Sequence, residues 1–146
     1  MRKILILLFT MLMFITLIAC KTTAEKLTIN KKTYKEENII INYPEISGMK
    51  DEDLQSAVNT QIMLDALELI QSRGIGSGEG ASAYPYLVVN LDYKILSQTV
   101  DKIIVEFSGT RIEGYGLPAD EIKYSTTISL KTGERIATTG DILDTD

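Results

Sequence analysis

The chain has 146 residues, 20 acidic against 15 basic, for a formal charge of −5, and it contains no histidine, no tryptophan and one cysteine. Without histidine it lacks the usual general base and the commonest neutral metal ligand, and a lone cysteine forbids an intramolecular disulfide. Lysines and arginines are scattered rather than gathered into a stripe, which argues against a nucleic-acid partner.

The opening stretch MRKILILLFTMLMFITLIAC places Arg2 and Lys3 before an apolar run from Ile4 to Ile18 broken only by Thr10 and Thr16. A bilayer-spanning helix needs about 20 such residues, whereas a signal-peptide core needs roughly 7–15. The run ends in Leu17-Ile18-Ala19-Cys20, which resembles the bacterial lipobox; Ile18 is bulkier than the small residue usual there. The resemblance implies that residues 1–19 are removed as a lipoprotein signal peptide and that Cys20 carries diacylglycerol. Residues 20–26 then form a polar tether from the extracytoplasmic face of the cell membrane, and 27–146 a single domain. Loss of Arg2 and Lys3 takes the formal charge from −5 to −7. With its only cysteine lipidated, the mature chain has no free thiol for nucleophilic catalysis or a thiolate zinc site.

Along the domain, Leu27 to Thr33 and Asn38 to Tyr43 read as strands, the second ending at Pro44, with the charged KKTYKEEN as their connection. A helix follows over SGMKDEDLQSAVNTQIMLDALELIQSRG: Leu54, Val58, Ile62, Ala66 and Leu69 or Ile70 form one apolar stripe. Asp51, Glu52 and Asp53 stand where the helix dipole favours negative charge, Arg73 stands at the other end, and Gly74 is a stop. GIGSGEGASAYP reads as a loop; its glycines follow a helix and precede a strand, the reverse of a phosphate-binding loop.

The last third alternates apolar and polar residues with period two. This predicts long antiparallel strands near 85–97, 102–112 and 121–130, with a short one at Arg135 to Thr138. SQTVD and KTGE join them as hairpins, Gly133 taking a positive φ. The expected fold is α+β: an antiparallel sheet of about five to six strands with one amphipathic helix on one face.

IIINYPEISGMKDEDLQSAVNTQI, LDYKILSQTVDKIIVEFSGT and TTISLKTGERIATTGDIL together resemble the extracellular domain of lysozyme-sensing anti-sigma factors, also found beside peptidoglycan deacetylases. The resemblance covers residues 38–146 and implies an accessory or sensing module, with no catalytic residue to carry over. Two departures stand out. EGYGLPADE holds the place of a histidine-containing segment of that family, and the chain stops at Asp146 where the family continues into further helix.

These readings suggest a non-catalytic lipoprotein that binds an extracellular protein such as a cationic cell-wall hydrolase, or else peptidoglycan. Neither requires a cofactor. Tyr115, Leu117 and Pro118 stand in a loop between strands, either as anchors for a partner or as a lid on the sheet edge. Tyr84 and Tyr86 flank Pro85 and could stack on sugar rings or close the edge of the core. Asp141, Asp144 and Asp146 lack calcium-loop spacing and read as a solvated tail. A third, less favoured reading is a hydrolase with two carboxylates among Glu45, Glu106 and Glu113, which would have to meet in one cleft.

Overall fold

The computed structural model describes residues 27–71 and 86–141. The lipobox, the tether, the glycine-rich loop, Tyr84, Asp144 and Asp146 lie outside them.

Two strands open the domain, β1 (Thr28–Glu36) and β2 (Ile39–Ser47), followed by the helix α1 (Glu52–Gln71). Four more strands follow: β3 (Leu87–Gln98), β4 (Lys102–Glu113), β5 (Asp120–Ser129) and β6 (Arg135–Asp141). They form one six-stranded sheet in chain order, β1-β2-β3-β4-β5-β6. Every pairing is antiparallel except β2 with β3, which run parallel over Ile39–Ile41 and Val89–Leu91. Parallel neighbours need a long crossover, and α1 is that crossover. The expected α+β architecture is the one found.

Alternation dictates the core. Val89 and Leu91 of β3, Ile103, Val105 and Phe107 of β4, and Ile122, Tyr124 and Ile128 of β5 are buried beneath Val58, Ile62, Ala66, Leu69 and Ile70 of α1. The opposite sheet face is open, so Asn90, Asp92 and Lys94 are exposed. Asp51 caps α1: its Oδ1 accepts from Leu54 N at 2.9 Å, satisfying one free amide of the first turn. The three long strands predicted in the last third stand within two residues of their expected ends, while the short one expected at Arg135 to Thr138 runs three residues further to Asp141, and Gly133 has φ +76°. A Cβ there would also lie 2.7 Å from Ala57 Cβ of α1, so this glycine serves both the turn and the packing.

The first hairpin departs from expectation. β1 runs on to Glu36, and the connection shrinks to Glu37 and Asn38, Glu37 holding φ 45°. β2 passes through Pro44 and ends at Ser47. The reason lies on the edge of β2 that faces away from β1. The N–H and C=O of Ile46 both point there, to Asn59 of α1, and Pro44, two residues earlier, presents its missing donor to the same side. No β1 bond is lost. Beyond Ile41, β2 leaves β3, and its buried positions switch from Ile39 and Ile41 to Pro44 and Ile46 with no break in register to β1. A freed two-stranded ribbon twists more strongly than a full sheet, and here it wraps toward the helix.

Candidate functional site

One end of the sheet gathers the predicted loop and strand residues. Leu87 faces the helix, so Tyr86 and Val88 on either side of it fall to the open face. Leu87 is paired with Glu113 at the end of β4, which brings Tyr86 beside the β4–β5 loop. In that loop Leu117 N donates to Gly114 O at 3.3 Å, and Gly116 takes φ +75° at the third position of the turn. The turn lifts Tyr115 to its apex and folds Leu117 over Gly114, where a Cβ would meet Leu117 Cδ1 at 2.6 Å.

The rings of Tyr86 and Tyr115 meet edge to face, with centroids 5.6 Å apart and an interplanar angle of 63°. Both remain open to solvent: Tyr86 is 55% exposed, Tyr115 87% and Leu117 57%. Tyr86 is thus no core-edge tyrosine, and the loop is no closed lid. Val88, paired with Ile112, and Ile40, paired with Asn90, extend the apolar strip onto the open face. The alternation that picked out the buried face also marks these outward residues, a signal that a search confined to loops passes over.

The surroundings are acidic. The β1–β2 hairpin brings Glu36 and Glu37 to this end of the sheet, with Lys35 exposed opposite Ile40, and β5 begins here with Asp120 and Glu121, so acids outnumber bases. Arg111 is held between acids: its Nε lies 3.1 Å from Glu113 Oε1, off the angle of a directed hydrogen bond, and its Nη2 lies 3.9 Å from Asp120. At the same end the hydroxyl of Tyr34 donates to Glu36. That bond, then burial and the Glu36 charge, push the Tyr34 hydroxyl up to about 12.

A second polar cluster lies between α1 and the β5–β6 hairpin. Asp65 is 1% exposed, on the apolar side of the helix between Ile62 and Leu69. Its carboxylate accepts from Gln61 Nε2 at 2.7 Å, from Arg135 Nε at 2.8 Å and from the Thr126 hydroxyl, while Arg135 also donates to Glu68 at 2.9 Å. Burial works against the Arg135 charge, but the hydrogen bonds and charges of Asp65 and Glu68 outweigh it and hold the guanidinium above its ordinary value. Tyr124 stacks on Phe107 and donates to the Asp65 carbonyl at 3.0 Å; burial, then the Asp65 and Glu68 charges, push its hydroxyl far above the usual range. With Gln61, Thr126 and Arg135 all donating to Asp65, the cluster reads as a clamp joining the hairpin to the helix.

The three carboxylates considered for hydrolysis lie apart in the fold and carry separate cations. Glu45 pairs with Lys32 at 3.3 Å, Glu106 with Lys123 at 3.3 Å, and Glu113 with Arg111. Glu106 and Glu113 are seven residues apart on one strand and face opposite sides of it. An open groove of about 360 Å³ runs between β2 and α1, lined by Tyr43, Glu45, Glu52, Ser56, Thr60 and Met63 among others. Among the described residues no three acidic or sulfur side chains converge as a metal site would need, and no helix is long and apolar enough to cross a membrane. No protein-family model matches the chain, and no curated protein matches it in sequence.

Proposed function

We propose that the protein is a cell-envelope lipoprotein, anchored through Cys20 on the extracytoplasmic face of the membrane, whose domain binds an extracellular protein without catalysing a reaction. The observation that carries this reading is the exposed cluster of Tyr86, Tyr115 and Leu117. Tyrosines are among the usual anchors of protein interfaces, where a few such residues dominate affinity. The acidic flanks and a charge of −7 after signal removal favour a cationic partner such as a lysozyme-type cell-wall hydrolase, drawn in by long-range attraction. The separation of Glu45, Glu106 and Glu113 supports the non-catalytic part.

A second reading is a peptidoglycan-binding module. It draws on the Tyr115 ring, open enough at 87% exposure for a sugar face to stack on it.

The test is capture of the soluble domain, residues 21–146, by a lysozyme-type enzyme and by insoluble peptidoglycan, each at low and moderate ionic strength. Salt-sensitive binding of the enzyme alone supports the first reading, since exposed charges are screened by added salt. Retention by the wall alone supports the second. Loss of both removes the two named partners.

A further inference from the structure

Resting on the lipid-anchor reading, we infer that the domain stands on the membrane by its β3–β4 hairpin end and holds the Tyr86–Tyr115–Leu117 patch away from the bilayer. The topology fixes which residues share an end. β1 starts at Thr28, opposite Ser47 at the close of β2, and β2 runs parallel to β3. Thr28, where the tether enters, therefore belongs to the sheet end where β3 turns into β4. The patch belongs to the other end, with the start of β3 and the β4–β5 loop.

Lengths decide between the two orientations. The eleven steps along the twelve residues of β3 separate the ends by about 36 Å at roughly 3.3 Å per step. From Cys20 to Thr28 there are eight residue steps, which fully extended reach at most about 29 Å. An inverted domain, patch on the bilayer, would need a leash longer than the chain can supply. A domain standing on the hairpin end needs almost none.

That end also presents the apolar side chains a lipid surface would take. Val100 at the tip of the β3–β4 turn is 76% exposed, and Leu96, the extra residue of a bulge in β3, is also exposed. The tip is rigid: Thr99 N donates to Lys102 O at 2.9 Å, and the Thr99 hydroxyl accepts from Lys102 N at 3.2 Å. Lys102 at the turn and Lys131 on the neighbouring β5–β6 turn stand beside it, Lys131 held 2.7 Å from Asp101. The tip is suited to shallow contact with headgroups. The partner of this end is thus the outer leaflet that holds the anchor, and the patch is left to partners arriving from the wall side.

The full lipidated chain in vesicles of phosphatidylcholine and phosphatidylglycerol, carrying a headgroup quencher, tests this. Cys20 is consumed as a thioether, so Val100→Cys, Lys131→Cys and Tyr115→Cys each offer one thiol for a fluorophore. Quenching several-fold stronger at 100 and 131 than at 115 is the expected result. Equal quenching, or stronger quenching at 115, overturns the orientation while leaving the anchor in place. A chain that does not float with the vesicles overturns the anchor reading, and the orientation with it. The two hairpin positions guard against one labelled variant misfolding.

Discussion

The side-chain amide of Asn59 in α1 pairs with both backbone groups of Ile46 in β2, its Nδ2 donating to the carbonyl at 2.8 Å and its Oδ1 accepting from the N–H at 2.7 Å. One helix residue thus substitutes for the neighbouring strand that β2 loses after Ile41. Asn59→Ala strands an N–H and a C=O at a buried residue, although the groove beside them admits some water. We expect a loss of about 2 kcal/mol in urea unfolding. Asn59→Asp should do no better, because its second oxygen would face the Ile46 carbonyl. If Asn59→Ala unfolds at the parent midpoint, the pairing contributes nothing to stability.

Tyr124 carries a pH signature. Its hydroxyl is held above its ordinary value of 10 by burial, so the unfolded chain releases this proton at lower pH than the folded one. The stability from keeping it protonated is fully present below about pH 10 and is lost above, at up to about 1.4 kcal/mol per pH unit. Tyr124→Phe removes the hydrogen bond to Asp65, costing about 1 kcal/mol at neutral pH. The same change removes the alkaline loss. Denaturation at stepped pH should therefore show the gap between parent and variant narrowing above pH 10. Tyr34 and Tyr93, also raised, titrate alike in both proteins and cancel in the difference. A gap constant to pH 11.5 would show that Tyr124 ionises without penalty.

The pattern of alternation made β3, β4 and β5 legible because each has one buried face, and the α1 stripe was legible for the same reason. What escaped depends on distant geometry. The length of β1 turns on Glu37 accepting a left-handed φ, which glutamate rarely does, and the passage of β2 through Pro44 turns on which edge faces Asn59. Tyr86 and Tyr115 were both candidates, but 28 intervening residues hid their contact. It is set by the Leu87–Glu113 register, which the bulge at Leu96 shifts by one residue. Asp65 lies three residues after Ile62 and four before Leu69 and is buried with them, but its partner Arg135 is 70 residues away and needed the fold.

The Asp65–Arg135 pair should behave as a buried charge with one essential partner. Arg135→Leu leaves a carboxylate that is 1% exposed with only Gln61 and Thr126 as donors. Breaking such a pair from one side costs about 3 kcal/mol. Adding Asp65→Asn removes the uncompensated charge, so the double variant should recover much of that loss. Hydrogen exchange along β6 should rise in the single variant and fall back in the double. If the single change shifts unfolding by less than about 0.5 kcal/mol, the clamp is ornamental to stability.

The proposed binding surface makes the opposite demand, large effects on affinity with small ones on folding. Tyr115 occupies the second position of a turn that accepts most residues, and its side chain is almost wholly in solvent. Tyr115→Ser and Leu117→Ser should each leave the unfolding midpoint within about 0.5 kcal/mol of the parent. Affinity for the captured hydrolase should drop roughly tenfold or more for Tyr115, equal to about 1.4 kcal/mol, because an exposed aromatic anchor buries its ring only in the complex. Asp120→Lys with Glu121→Lys should instead slow association and flatten its salt dependence, since rim charges act on encounter more than on residence. The contrast separates anchor from steering within one titration series. If the enzyme is captured but both serine variants bind as the parent does, the partner does not rest on the β4–β5 loop, and the open sheet around Asn90 and Lys94 is where to look next.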